Sequence, residues 1–300
     1  MSVKTIDPQQ AQASELYALM SGAVAPRPIA FASTTDTAGN VNLSPFSFFN
    51  LFSAKPPILV FSPLSRMRDN SSKHTLENVL ATKEVVINIG NYDLVEQMSL
   101  ASTEYDLGVN EFIKSGLTPA ASERVKPPRV QEAPVAFECR VNDVIKLGAE
   151  GGAGNLVLCE VLLMHVNENI LEENGKIDSV KLNAVARMGG DDYLHAIPES
   201  IFKLPKPNRN KGMGVDQIPD FIRNSSILTG SNLGRLGNTE KMPTDEEVTA
   251  FQSDPLVSYI LTKYRHDPAK QRKELEVLGK KLLEDNQVAQ AWKVLLLMGL

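Results

Sequence analysis

Two long apolar runs, "VAFECRVNDVIKL" at 135–147 and "NLVLCEVLLMHV" at 155–166, constrain the fold of this chain more than any other feature. Both are rich in residues that suit a half-buried pleated surface, and only the glycine-rich "GAEGGAGN" connects them. A link of that character turns the chain back on itself, so the runs are expected to pair as an antiparallel hairpin. Shorter runs have the same texture: "PIAFASTT" (28–35), "ILVFS" (58–62) and "EVVINI" (84–89), each bounded by Gly, Pro, Asn or Asp. Helical patterns fall between strands, near 10–20, 72–82 and 92–103, and do not follow each strand in turn. That order argues against a doubly wound parallel sheet. It fits a small closed barrel with inserted helices, whose closure removes the exposed edges of such apolar strands.

The texture changes after residue 196. From 197 to 243 the chain is rich in Pro, Gly and Asn without periodicity, as in "IPESIFKLPKPNRNKGMGVDQIPD", and reads as a wrap or linker. Beyond it, Thr244 with Glu247 three positions on has capping-box spacing at the head of "TDEEVTAF". "DPLVSYILTKYR", "DPAKQRKELEVLGKKLLED" and "NQVAQAWKVLLLM" then read as three amphipathic helices, two of them opening with Asp-Pro. The expected organisation is a domain over 1–196, a wrap or linker over 197–243 and a helical extension over 244–300. The apolar faces of the extension, carrying Leu275, Leu278, Leu282 and Trp292, are expected to pack on the preceding domain or on a second subunit.

Composition narrows the function classes. With 42% hydrophobic and 22% charged residues over 300 positions the chain resembles an ordinary soluble globular protein. A formal charge of -5 disfavours a general polyanion binder, so nucleic acid is not an expected partner. The N-terminus "MSVKTIDPQQ" has no basic region followed by an apolar run, and "VLLLMG" is far too short to span a bilayer. A cytoplasmic location without membrane contact is therefore the expectation. Cys139 and Cys159 lie on the two long runs and read as buried thiols. His74, His165, His195 and His266 show no metal-ligand spacing, so no metal site is expected. There is no GxSxG elbow and no GxxxxGK[ST] loop, and "GSNLGRLG" and "GMGV" read as loop glycines.

Three stretches can carry chemistry. "FSPLSRMRDNSSKHTLEN" (61–78) gathers Arg66, Arg68 and Lys73 with the hydroxyls of Ser62, Ser65, Ser71, Ser72 and Thr75 just ahead of a helix. Cations, hydroxyl donors and a helix N-terminus suit a phosphate dianion, although the same residues also describe a solvated loop with a capped helix. "SPFSFFN" (44–50), read as one alternating strand, puts Phe46 and Phe48 on one side and Pro45, Ser47 and Phe49 on the other. Such a strand either fills a core or walls a pocket for a planar heteroaromatic ring. "RMGGDDY" (187–193), after a short helical "VKLNAV", either lets the backbone approach a ligand or simply turns.

Taken in order, "PRPIAFASTTDTAGNVNLSPFSFFN", "PPILVFS", "SSKHTLENV", "EVVINI", "LVEQMSLAS", "EFIKSGLTP", "PPRVQEAPVAFECRV" and "VARMGGDDY" resemble the flavin reductase-like proteins, flavoredoxins among them. The resemblance spans about residues 20–195. It implies a mainly β fold with inserted helices, an antiparallel Greek-key split β-barrel, here with the helical extension appended. It also implies a homodimer that binds FMN non-covalently near the subunit interface. By position, Asn42, Ser44, Phe46, Ser47 and Asn50 would border the isoalloxazine and ribityl. Ser62, Arg66, Lys73 and Thr75 would hold the phosphate, and Arg187 with Gly189 would lie near the ring, with Tyr193 a lesser candidate. Where the family commonly has Lys-Asp-Thr, this chain has Lys73, His74 and Thr75, so that His74 either replaces an acceptor with a donor to phosphate or simply faces water. The implied activity is an NADH- or NADPH-dependent flavin reductase passing electrons to flavin or another acceptor. The alternative is a flavoredoxin-like electron carrier without nicotinamide activity. No catalytic acid or base is singled out, because the flavin itself carries the redox chemistry.

Overall fold

The two long runs do pair as an antiparallel hairpin. The computed structural model of the protein describes residues 2–204 and 211–299, and the chain divides into two compact units, Met1–Phe202 and Lys203–Leu300. The first unit begins with helix α1 (Ala13–Ala23) and strands β1 (Ala30–Thr35), β2 (Val41–Phe46), β3 (Phe49–Ala54) and β4 (Pro57–Phe61). Helix α2 (His74–Thr82) leads into β5 (Glu84–Ile89), followed by α3 (Val95–Leu100), α4 (Glu111–Ser115) and the short strands β6 (Pro119–Ala120) and β7 (Arg129–Val130). The hairpin strands β8 (Val135–Lys146) and β9 (Asn155–Val166) come next, and a small ladder of β10 (Val185–Arg187) with β11 (Tyr193–His195) ends the unit's regular structure. "VKLNAV" forms turns leading into β10, not a helix.

Seven strands make one antiparallel sheet in the order β2-β1-β5-β8-β9-β4-β3. Strands β2 and β3 are neighbours in the chain yet occupy opposite edges of this sheet. "SPFSFFN" is therefore not one strand: the ladder stops at Phe46, bends through Ser47 and Phe48, and resumes at Phe49. Three Cα steps separate Phe46 from Phe49, a span of at most about 11 Å. The sheet is thus bent round until both edges reach this corner. There Phe46 packs on Phe61 with ring centroids 5.3 Å apart, and the Ser62 amide donates to the Phe48 carbonyl at 2.8 Å. Two register shifts in the β8–β9 ladder, at Glu138/Cys139 and Val141/Asp143, help bend the long ribbon so that its ends serve β5 and β4 in turn.

Alternation along the strands sorts the apolar side chains into two cores. Ala30, Ala32, Phe61, Val85, Ile87 and Val157 face one cluster together with both cysteines, whose thiols burial pushes well above their ordinary range. Phe31 and Leu43 face the other, against Met98 of α3 and Phe112 of α4. Glu138 is a buried carboxylate on β8. It accepts from the amides of Glu123 (2.9 Å) and Arg124 (2.5 Å) and lies 2.7 Å from His165 Nε2. Burial alone would raise its pKa, yet these donors hold it below the ordinary value.

The second unit is helical: α5 (Asp220–Arg223), α6 (Gly230–Gly237), α7 (Asp245–Ala250), α8 (Pro255–Lys263), α9 (Pro268–Glu284) and α10 (Val288–Leu296). Its starts are legible in the sequence, since Thr244, Asp254 and Asp267 each accept hydrogen bonds from first-turn amides. Two expectations are corrected here. "GSNLGRLG" is a helix, capped reciprocally by Thr229 and Asn232, because burying Leu236 outweighs the poor propensity of its glycines. The stretch 197–243 accordingly holds α5 and α6, while its residues 205–210 lie outside the described residues. The faces bearing Leu275, Leu278, Leu282 and Trp292 pack within this unit, in two clusters that share Leu282. Trp292 Nε1 donates to Thr239 Oγ1 at 2.9 Å. Among the described residues no helix is long and apolar enough to cross a membrane.

Two outcomes follow from these cores. Trp292 is the only tryptophan, so its emission reports the second unit. Leu283→Ala, at a fully buried site, should lower the denaturation midpoint seen by that emission, at a cost of about 2–5 kcal/mol. Because the folded pKa of Glu138 is depressed, its contribution is complete above its unfolded value near ~4.3 and is lost as pH falls through the folded value. Glu138→Gln should therefore destabilise at neutral pH and flatten the acid limb of the stability profile, as measured by urea melts from pH ~3 to ~7.

Candidate functional site

Strand β2 and the start of α2 meet in a small pocket of about 30 Å³. It collects five of the expected residues, Asn42, Ser44, Arg66, Lys73 and Thr75, together with His74. Its floor is a fixed hydrogen-bond chain. The buried Thr75 hydroxyl donates to Asn42 Oδ1 at 2.7 Å, Asn42 Nδ2 donates to Glu111 Oε1 at 2.8 Å, and the Leu43 amide donates to Glu111 Oε2 at 3.0 Å. No side chain caps α2 at Lys73, so the free amides of its first turn remain available at the pocket. Lys73 Nζ lies 5.7 Å from the centroid of the Phe46 ring, which itself belongs to the core. Burial pushes the Lys73 ammonium below its ordinary value; Glu104 opposes this shift and Arg66 adds to it.

Why the 65–71 loop takes up this position explains the glycines between β8 and β9. Ser65 N donates to Ala153 O at 3.0 Å, Gly152 N to Ser65 O at 2.9 Å, and Asn70 Nδ2 to Ala149 O at 2.8 Å. A Cβ at Gly151 would sit 2.9 Å from the Arg66 carbonyl, a contact that only glycine avoids. Within the loop, the Ser71 hydroxyl and amide, with Arg68, bring Asp69 down to about 2. Arg66 Nη1 donates to Ser71 Oγ (3.0 Å) and to the Ser72 carbonyl (2.6 Å), which fixes its plane.

Glu104, which the sequence reading did not single out, lies in the same pocket. Its carboxylate pairs with Arg66 Nε at 3.1 Å and Arg68 Nη2 at 2.9 Å, and the Arg66 bond leads the influences that hold its pKa low. No local signal marks it, because its partners lie more than thirty positions away in the chain. Arg66, Lys73 and Glu104 also line a wider recess of about 390 Å³, together with Tyr17, Leu64 and Met67.

The other expected residues lie elsewhere. Ser62 is buried, and its hydroxyl accepts from the Asn155 amide at 3.1 Å. Asn50 is exposed on β3 and accepts from the Leu51 amide at 2.8 Å, while Ser47 lies in the bend. Arg187 and Gly189 reach the Phe48 corner through Arg27, a second residue the sequence reading passed over. The backbones of Arg27 and Arg187 pair at 2.9 Å in both directions, and Arg27 Nη2 donates to Met188 O at 2.7 Å. Arg27 Cζ lies 5.7 Å from the Phe48 ring centroid, and Tyr17, which lines the wide recess, meets the same ring edge-on at 6.3 Å. Gly189 is small for a packing reason: its Cβ would lie 2.9 Å from Gly22 Cα of α1. Tyr193 stacks beneath Arg187 at 4.7 Å.

The pocket brings together the Arg66 and Lys73 cations, whose charge the Glu104 carboxylate partly offsets. Glu104 stays ionised at neutral pH, so an arriving anion competes with it. Glu104→Gln should raise the affinity for inorganic phosphate by roughly two- to tenfold, with the gain shrinking at high salt, as measured by calorimetry.

Residues 20–181 match the family described as flavin reductase like domain. A protein of Aquifex aeolicus (strain VF5), described as uncharacterized, is 40% identical over 189 residues, 63% of this chain and 94% of the relative. The crystal structure of nitrilotriacetate monooxygenase component B from Bacillus cereus superposes with a TM-score of 0.64 at 28% identity, covering 68% of this chain and all of that one (100%). Flavoredoxin of Desulfovibrio vulgaris (Miyazaki F) shares the fold, with a TM-score of 0.52 at 20% identity over 67% of this chain and 97% of its own. With more than half of its length matched by the family model, this chain belongs to the flavin reductase like domain family.

Proposed function

We propose that the protein is an FMN-binding flavoprotein oxidoreductase, an NAD(P)H-dependent flavin reductase that passes electrons to flavin or another acceptor. The observation that carries this reading is the cationic pocket of Arg66 and Lys73 at an uncapped helix start, opening beside an apolar recess wide enough for a ring. The donor set fits a phosphate monoester next to a flat heterocycle. Arg66, Lys73 and the first-turn amides of α2 hold the phosphate in this reading. Thr75 orders Asn42, because its one hydroxyl hydrogen is committed there. Ser62 keeps its hydrogen free to donate. Asn42, Ser44, Phe46, Ser47 and Asn50 border the ring and ribityl, and Arg187 with Gly189 closes the far side.

Bound FMN would supply two-electron redox chemistry between a nicotinamide and the acceptor. The protein's share is binding and orientation. Tyr17, Leu64 and Met67 give the recess an apolar side, and Lys73, beside the Phe46 ring, anchors the anionic end. Residues 1–196 form the flavin-binding part. The bent sheet closes as a Greek-key split barrel, and two copies associate with the flavin near their interface; the two-residue corner at Ser47–Phe48 supports the closure.

Purified protein should release FMN on denaturation, and anaerobic NADH or NADPH should bleach its visible flavin band within turnover time. Reduction only by a redox protein would replace the reductase by an electron carrier. Lys73→Gln should weaken FMN by roughly tenfold while leaving riboflavin affinity unchanged; equal losses for both ligands would remove the phosphate assignment.

A further inference from the structure

The first unit has a second recess, of about 260 Å³, between the start of α3 and the β10–β11 hairpin. It is built differently from the anion pocket. Its floor is a pair of flat rings, Tyr92 on His195, with centroids 3.9 Å apart and planes within 5°. Both rings are held from behind. His195 Nε2 donates to Asn183 Oδ1 at 2.6 Å, Asn183 Nδ2 donates to the Asp93 carboxylate at 3.3 Å, and the Tyr92 amide donates to the Asn183 carbonyl at 2.8 Å. Asn183 sits at φ 54°, a left-handed position that asparagine tolerates and most residues resist. The ladder pairing of Val185 with His195 fixes the second ring's backbone.

Around this floor stand the apolar side chains of Val95 and Val185, the ring of Tyr193 and the carboxylate of Glu96. Tyr92 remains 52% exposed and Tyr193 41%, so aromatic faces are presented to solvent beside a buried valine. A rigid π surface between aliphatic walls selects a planar ring. The charges select its edge. Glu96 is the one charged group among the lining residues, Asp93 stands behind His195, and the Arg187 guanidinium lies on Tyr193 and donates to the Gly190 carbonyl at 2.7 Å.

We propose that this recess is a second small-molecule site that takes a planar aromatic ring with a cationic edge, Tyr92, backed by the stacked His195 ring, providing the stacking face and Glu96 the countercharge. The recess shares no lining residue with the Arg66–Lys73 pocket and does not rest on the flavin reading. Three probes of one shape and different charge test it: benzamidine, benzamide and benzoate, titrated by NMR against the full chain with and without saturating FMN. Benzamidine should bind roughly two- to fivefold more tightly than benzamide, and benzoate more weakly than either. Glu96→Gln, a change at the recess rim, should abolish the benzamidine preference. Tyr92→Leu should weaken both benzamidine and benzamide by roughly threefold or more, while Tyr92→Phe retains them. FMN should leave the benzamidine affinity unchanged. Benzoate binding as tightly as benzamidine, a preference that survives Glu96→Gln, or displacement of the probe by FMN each overturns the proposal.

Discussion

The two-residue connection at Ser47 and Phe48 is the constraint on which the first unit depends. It joins strands at opposite edges of a seven-stranded sheet, so the sheet has to bend until its edges share a corner. Once they do, Phe46 from one edge strand packs on Phe61 beside the other, and the Phe48 carbonyl receives the Ser62 amide. The chain leaving β4 at that point runs directly into the 65–71 loop. Thus the same corner that curves the sheet also delivers Arg66 and Lys73 to the side of β2 that carries Asn42 and Ser44.

A cluster of cations placed this way needs partners, and the structure supplies them at two levels. Backbone groups of the β8–β9 link hold the loop, which is why that link is glycine-rich beyond what a hairpin requires. Glu104 then occupies the exposed donors of Arg66 and Arg68. Mutual repulsion among Arg66, Arg68 and Lys73 is thereby reduced, which lets three cations share one corner of the unit. Glu111 serves a different purpose. Buried beneath the pocket, it fixes Asn42 and the β2 backbone from below.

Much of the strand framework was legible because period-two runs bounded by Gly, Pro and Asn report pleat and burial directly. The predicted runs at 84–89 and 155–166 coincide with β5 and β9, and the C-terminal helix starts follow from Thr244, Asp254 and Asp267. Failures occurred where local pattern and tertiary demand part. "SPFSFFN" alternates well enough to pass for one strand, and nothing local announces that its halves belong to opposite edges. "GSNLGRLG" looks like loop, yet the unit buries Leu236 and the helix forms around that need. Of the expected site residues, Asn42 and Ser44 of β2, Arg66 of the 65–71 loop and Lys73 and Thr75 at the start of α2 converge, while Phe46 joins the core. Ser62, Asn50, Arg187 and Gly189 are held by other contacts, and Tyr17, Arg27, Glu104 and Glu111 enter the picture only through distance in space.

By itself, the order of residues determined which segments extend, which coil into helices, where the chain reverses, and that hydroxyls and cations cluster ahead of α2. These are short-range properties, set by backbone sterics, side-chain period and capping chemistry within a few positions. Tertiary structure alone decided which strands border one another, that a carboxylate from residue 104 sits between two arginines, and that Tyr92 and His195 lie face to face across about a hundred positions of chain. Contacts of that kind depend on how the whole sheet curves and on what its helices cover, and no window of neighbouring residues encodes them.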